Sequence, residues 1–384
     1  MRGHAVHFHA KHASLVMVNK PLLAGLLFFA AVLLGQAPVQ VPMYKDRQHL
    51  LVYLDESGHP HPATSVAQWE IRRAHILDSM QLVMGPLPAA EVVPLDLQIE
   101  ATEELPSVRR QRITFRSEGE DRVPAYLLIP KGLAYGAKVP AVLCLHETTP
   151  LGKREPAGWG EKTNLHYALE LAERGYVTLA PDYPNFGDYK FDAYAHGFSS
   201  ASMKGIVNHR RAVDLLRSLP QVDPERIAVI GHSLGGHNAL FIAAFDPRIK
   251  AVVTSCGFTS FAKYKEGDLT GWSHKGYMPR IAEVYGKDPK RMPFDFTEVL
   301  AALAPRPVFI NAPLGDDNFA VSGVRDCVAS ARVVYQTIYH AGGNLHVVYP
   351  AGGHDFPPQA RQAAYEFLAQ SLGYTERTRQ GQNR

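Results

Sequence analysis

Beyond residue 110 the chain alternates between two patterns of apolar positions. Short runs that are apolar or β-branched at nearly every position, 141–145, 177–180, 227–230, 251–254, 308–310 and 345–349, predict strands buried on both faces. Between them, residues 164–174, 202–218, 234–245, 324–339 and 359–372 carry apolar residues at helical spacing and predict helices. Residues 112–116 and 125–129 read as an antiparallel pair ahead of this series. Eight strands with intervening helices imply an α/β fold: a mostly parallel sheet with helices on both faces. In such a sheet, chemistry collects at the carboxyl ends of the strands.

Two stretches depart from the alternation. Residues 38–105 form an extension with weak patterning and one helix, predicted over 66–84 and stopped by Gly85-Pro86. Residues 257–300, between the sixth and seventh strands, mix Gly, Pro and aromatic residues and read as an insertion. The catalytic body is then expected over 106–374, with a polar tail at 375–384.

Composition narrows the function classes. The chain has 384 residues with 40 Lys and Arg against 37 Asp and Glu, but Arg2, Lys11 and Lys20 are the only charged residues among the first 37. Without them the balance is 40 − 3 = 37 basic to 37 acidic residues, so no basic field exists to hold a phosphate backbone, and nucleic acid is not an expected partner. Lys20 precedes the 15-residue uncharged run 21–35 and the small residues of Gly35-Gln36-Ala37, which reads as an export signal over 1–37, with Met17 as an alternative start. The run falls short of the ~20 residues needed to cross a bilayer, so no stable membrane span is expected after cleavage. The expected location is periplasmic or extracellular. Cys144, Cys256 and Cys327 are an odd set without zinc-type spacing, expected as buried apolar residues, and no metal or organic cofactor is called for.

The chemistry centres on Gly231-His232-Ser233-Leu234-Gly235-Gly236, which stands between a predicted strand and a predicted helix. That is the context of a nucleophile elbow: Ser233 sits on a sharp turn, and flanking glycines leave room for neighbouring backbone. A serine hydroxyl needs a base. His354 lies after the last strand, in Gly352-Gly353-His354-Asp355, where the base belongs. The orienting acid should follow the strand before the last, which leads into Gly315-Asp316-Asp317-Asn318. Asp316 is the favoured acid and Asp317 the alternative. The N–H of Leu234 and one from the loop His146-Glu147-Thr148 should form the oxyanion hole, with Thr148 favoured and Glu147 the alternative. His232 is expected to point away from the site.

With these residues in place, the region 106–372 resembles the α/β-hydrolase superfamily, and within it the secreted bacterial dienelactone-hydrolase-like and acetyl xylan esterase-like serine esterases. GHSLGG at 231–236, DDNF at 316–319, GGHDFP at 352–357 and LHETT at 145–149 carry the resemblance. It implies the α/β-hydrolase fold and a Ser, Asp, His triad. It departs at Glu147, where many relatives have Gly, and at Ser233, where dienelactone hydrolases proper have Cys.

The expected function is a serine carboxylic-ester hydrolase working through an acyl-enzyme on short-chain, chiefly acetyl, esters of carbohydrates. Trp272, in the polar and glycine-punctuated loop 267–273, is the expected sugar-stacking residue, because a large ring there has little reason to be buried. Two alternatives stand beside this reading. A serine peptidase of the oligopeptidase type shares the catalytic sheet, though the residues ahead of it are too few for a propeller domain. A non-catalytic binding protein on the same scaffold would not need a complete triad.

Overall fold

The computed structural model describes residues 41–89 and 93–376; the expected signal segment and residues 377–384 lie outside them. Among the described residues, nine strands form the main sheet. Six run parallel: β6 (Val139–Leu145), β7 (Val177–Pro181), β8 (Val222–His232), β9 (Ile249–Ser255), β10 (Val308–Asn311) and β11 (Leu345–Val348). Their apolar sequences follow from position, since β6, β7 and β10 are buried at every residue. On one side, β5 (Arg122–Pro130) and β4 (Val108–Arg116) continue the sheet antiparallel.

The ninth strand, β3 (Gln98–Glu104), corrects the expectation of eight, and it comes from the weakly patterned extension. All seven of its residues are exposed, so it shows no apolar alternation. Charge holds it instead: Glu100, Glu103 and Glu104 face Arg112, Arg110 and Arg109 of β4. An acidic edge with a register shift between Ile99 and Ala101 also discourages pairing with another chain. The extension adds a two-stranded hairpin as well, β1 (Val52–Leu54) with β2 (Pro60–Pro62).

Helices cover both faces of the sheet. In chain order they are α1 (Val66–Met84), α2 (Tyr167–Glu173), α3 (Ala201–Ser218), α4 (Leu234–Phe245), the short α5 (Arg280–Glu283) and α6 (Phe296–Ala301), α7 (Val321–Thr337) and α8 (Pro358–Ser371). Ser65 starts α1 by accepting the Gln68 N–H, and Gly85 follows its last residue at φ 94°. One face of α1 buries Trp69, Ile76, Met80 and Val83. Arg72 on that face is buried, bonds Glu298 of α6 at 2.5 Å and lies over the Tyr44 ring. The extension is thereby fastened to the insertion. Leaving either charge alone in that interior would cost several kcal/mol, on the order of 3–5.

The insertion is built from 3-10 turns, α5 and α6 around a packed aromatic cluster. Phe258, Phe261, Phe294 and Phe296 are fully buried, which is the packing role expected of most aromatics there. Cys144, Cys256 and Cys327 are free and buried.

Candidate active site

β8 runs out of the sheet at His232, and α4 begins at Leu234. The single residue between them must reverse the chain, and Ser233 does so at φ 54°, ψ −116°, a conformation that non-glycine residues seldom adopt. Its N–H donates to Ser255 O at 2.9 Å, anchoring the turn to β9. The flanking glycines are required by contact. A Cβ on Gly231 would stand 2.1 Å from Gly235 O, and one on Gly235 would stand 1.9 Å from Leu145 O. As the first helical residue, Leu234 has an N–H with no intrahelical acceptor, available to a developing oxyanion.

The loops after β10 and β11 are held together by backbone bonds from Leu314 to Pro350 and from Gly315 to Gly352. Through that zipper His354 Nδ1 comes within 3.0 and 3.1 Å of the two carboxylate oxygens of Asp316. Asp316 also accepts the N–H groups of Asn318 and Phe319. Burial alone would raise its pKa; the hydrogen bonds from His354 and these two N–H groups outweigh burial and hold the carboxyl below its ordinary range. Asp317 is exposed, and only its carbonyl is engaged, by Lys265. Asp355 accepts from Asn164 and takes no part in this pair.

Ser233 is related to the His354–Asp316 pair through neighbours rather than a direct bond. It lines a cavity of about 180 Å³ together with Leu234, Thr148, His237, Trp272, Tyr277, Asn318 and Phe319. Phe319 packs in turn against the His354 ring at 5.8 Å between centroids. Thr148 lines the cavity and bonds Tyr277 through its hydroxyl at 2.8 Å. Glu147, the alternative oxyanion residue, sends its carboxylate elsewhere: Lys162 pairs with it, and His232 Nε2 lies 3.9 Å away.

Two expectations are corrected here. His232 does not point away. Its ring stands 4.9 Å from that of His354, fixed by a 2.9 Å bond from Nδ1 to Ser255 Oγ, and burial together with the nearby His354 drives its pKa far down. The last residue of β8 turns its side chain toward the loop after β11, three strands away, because the elbow begins one residue later. Trp272 is not an exposed platform either. It is 2% exposed and packs against Phe261, Phe296 and Phe319, so the polar loop around it covers an aromatic interior. It nevertheless lines the Ser233 cavity.

His237, Tyr277 and Asn318 also line the cavity, alongside Tyr264, Gly271 and His274, and were not anticipated as site residues. For His237 a signal existed, since it lies one helical turn after Ser233 and must share its face. Tyr277 and Asn318 arrive by loop geometry that leaves no pattern. Two sets of ligand-type side chains surround His354, Glu147 with His232 and Cys256 with Asp316, each within 4.8 Å of it.

Known proteins fit this geometry. The sequence profile described as fungal glucuronyl esterase matches residues 191–339. The YtaP protein of Bacillus subtilis (strain 168) is 28% identical over 305 residues, covering 76% of this chain and 96% of that protein. A glucuronoyl esterase from Solibacter usitatus superposes with a TM-score of 0.67 at 18% identity, covering 87% of this chain and 99% of that one. A carbohydrate esterase family 15 glucuronoyl esterase from Caldicellulosiruptor kristjansonii gives 0.62 at 17% identity, covering 91% and 96%. With the sheet order, the elbow and the two zipped loops, these likenesses show that the chain has the α/β-hydrolase fold.

Proposed function

We propose that this protein is an exported carbohydrate esterase that cleaves short-chain, chiefly acetyl, esters of sugars through an acyl-enzyme on Ser233. The observation that carries the reading is the strained Ser233 turn opening onto a small cavity with no Asp, Glu, Lys or Arg in its lining. Its volume of about 180 Å³ suits a small acyl group or one sugar unit.

In this mechanism Ser233 Oγ attacks the ester carbonyl carbon while His354 takes its proton, and Asp316 stabilises the resulting imidazolium. The oxygen of the tetrahedral intermediate is held by the N–H groups of Leu234 and Thr148. His354 then gives its proton to the departing alcohol, leaving the acyl group on Ser233. A water, deprotonated by His354, attacks that acyl carbon, and His354 returns the proton to Ser233 Oγ as the Oγ–acyl bond breaks and the acid leaves. His232, neutral and packed beside His354, fills space without adding a competing charge.

A second reading has a specific observation behind it. The profile match and the structural likenesses concern glucuronoyl esterases, in which the sugar would supply the acid half of the ester. A panel of an acetylated xyloside, a methyl uronate, a long-chain aryl ester and a peptide tests both. The proposal expects turnover of a sugar ester well above the long-chain ester and the peptide. Preference for the long chain or the peptide would overturn it. Export is checked by fractionating cells and identifying the mature amino terminus.

A further inference from the structure

Two residues that line the Ser233 cavity, His237 and Trp272, carry buried polar atoms that no group among the described residues serves. Neither ring nitrogen of His237 has a hydrogen-bond partner among the described residues, nor does Trp272 Nε1, and both residues are 2% exposed. The two rings meet edge to face, 4.8 Å between centroids, and both line the cavity. A buried polar atom without a partner costs about 1–3 kcal/mol. Three such atoms on adjoining rings that both line the cavity favour a hydrogen-bonding partner there.

The chemistry of these atoms restricts what that something is. Burial pushes the His237 imidazole down to about 3, so at neutral pH the ring offers one N–H donor and one acceptor nitrogen. Trp272 adds a second donor. A carboxylate or ammonium placed here would lose its hydration with no opposite charge in the lining. A hydroxyl, which both donates and accepts, matches the pair. Position matters as well: His237 follows Ser233 by four residues, and its backbone N–H donates to Ser233 O at 3.2 Å in the first turn of α4. Tyr277, the other ring beside His237, already has its hydroxyl bonded to Thr148.

We propose that His237 and Trp272 form a subsite for one free hydroxyl of the sugar next to the scissile ester, with the imidazole nitrogen accepting the O–H and the indole N–H donating to its oxygen. This rests on the esterase reading of Ser233 and adds the group that selects the substrate. The hydroxyl belongs to the alcohol half in an acetylated sugar and to the acyl half in a uronate ester.

The test is the ratio of kcat/KM for a hydroxylated ester to kcat/KM for its deoxy analogue, measured in an acetyl-xyloside arm and a methyl-uronate arm. In the wild type the ratio should exceed one by about 10- to 100-fold in one arm, as expected for one or two neutral hydrogen bonds. That arm identifies which half carries the hydroxyl. His237→Leu and Trp272→Phe should each collapse the ratio toward one, and His237→Gln should restore part of it. A wild-type ratio near one in both arms, or variants that keep the wild-type ratio, would overturn the subsite. If His237→Leu fails to fold, the wild-type ratio and Trp272→Phe decide. A wild type that turns over none of these esters would overturn the esterase reading itself.

Discussion

His354 Nδ1 faces both carboxylate oxygens of Asp316, at 3.0 and 3.1 Å, while Asp317, one residue on, turns to solvent. The two aspartates are chemically identical and differ only in what the zipped loops let them reach. Asp316→Asn should therefore lower kcat by about 10²- to 10⁴-fold, because an amide cannot stabilise the imidazolium, whereas Asp317→Asn should stay within about threefold of wild type. Steady-state kinetics on an aryl acetate checks the ranking, and the reverse order would move the role to Asp317.

The same pair has a signature in stability against pH. The folded pKa of Asp316 is depressed below its ordinary 3.8, so its contribution is present above that value and is lost as pH falls through the lower folded pKa. The stability gap between wild type and Asp316→Asn should hold steady above about pH 5 and close below about pH 4. Urea unfolding at several pH values measures it; a gap that widens in acid contradicts the assignment.

Much of this was legible in the sequence, for reasons that differ by element. α1 and α4 have the bounds expected, because Gly85 and the Ser233 turn punctuate them. β3 was not legible, since a strand exposed at all seven positions and held by Glu–Arg pairs carries no apolar alternation. Trp272 was misjudged from local polarity, because its burial comes from Phe296 and Phe319, 24 and 47 residues later. The orientation of His232 depends on where β8 ends relative to the elbow, which a motif alone does not encode.

Gly235 tests the elbow as a packing constraint. The Leu145 carbonyl 1.9 Å from a Cβ is backbone of the central strand β6 and cannot swing aside. Gly235→Ala should cost at least about 2 kcal/mol, or prevent folding, and should lower turnover in whatever folds. Chemical denaturation gives the first quantity; a variant with wild-type stability would mean that the turn has slack.

Glu155 supplies an opposite pH dependence. Burial first, and then the nearby Glu147 charge, raise its pKa from 4.5 to about 7, with Lys162 opposing. A raised folded pKa gives stability that is full below the unfolded value and is lost as pH rises through the folded one. Glu155→Gln should therefore gain on wild type from about pH 5 to pH 8, by about 2–5 °C in Tm at the upper end. Parallel melting curves across that range would contradict the shift.

The central claim is that Ser233 carries the acyl group. Rapid acid quench during turnover of an acetyl ester, followed by digestion and mass spectrometry, measures this directly. The account predicts an acetyl adduct on the peptide containing Ser233, absent from Ser233→Ala, whose turnover should fall by about 10³-fold or more while its fold persists. Near-normal turnover by folded Ser233→Ala, or an adduct mapped to another residue, would contradict it.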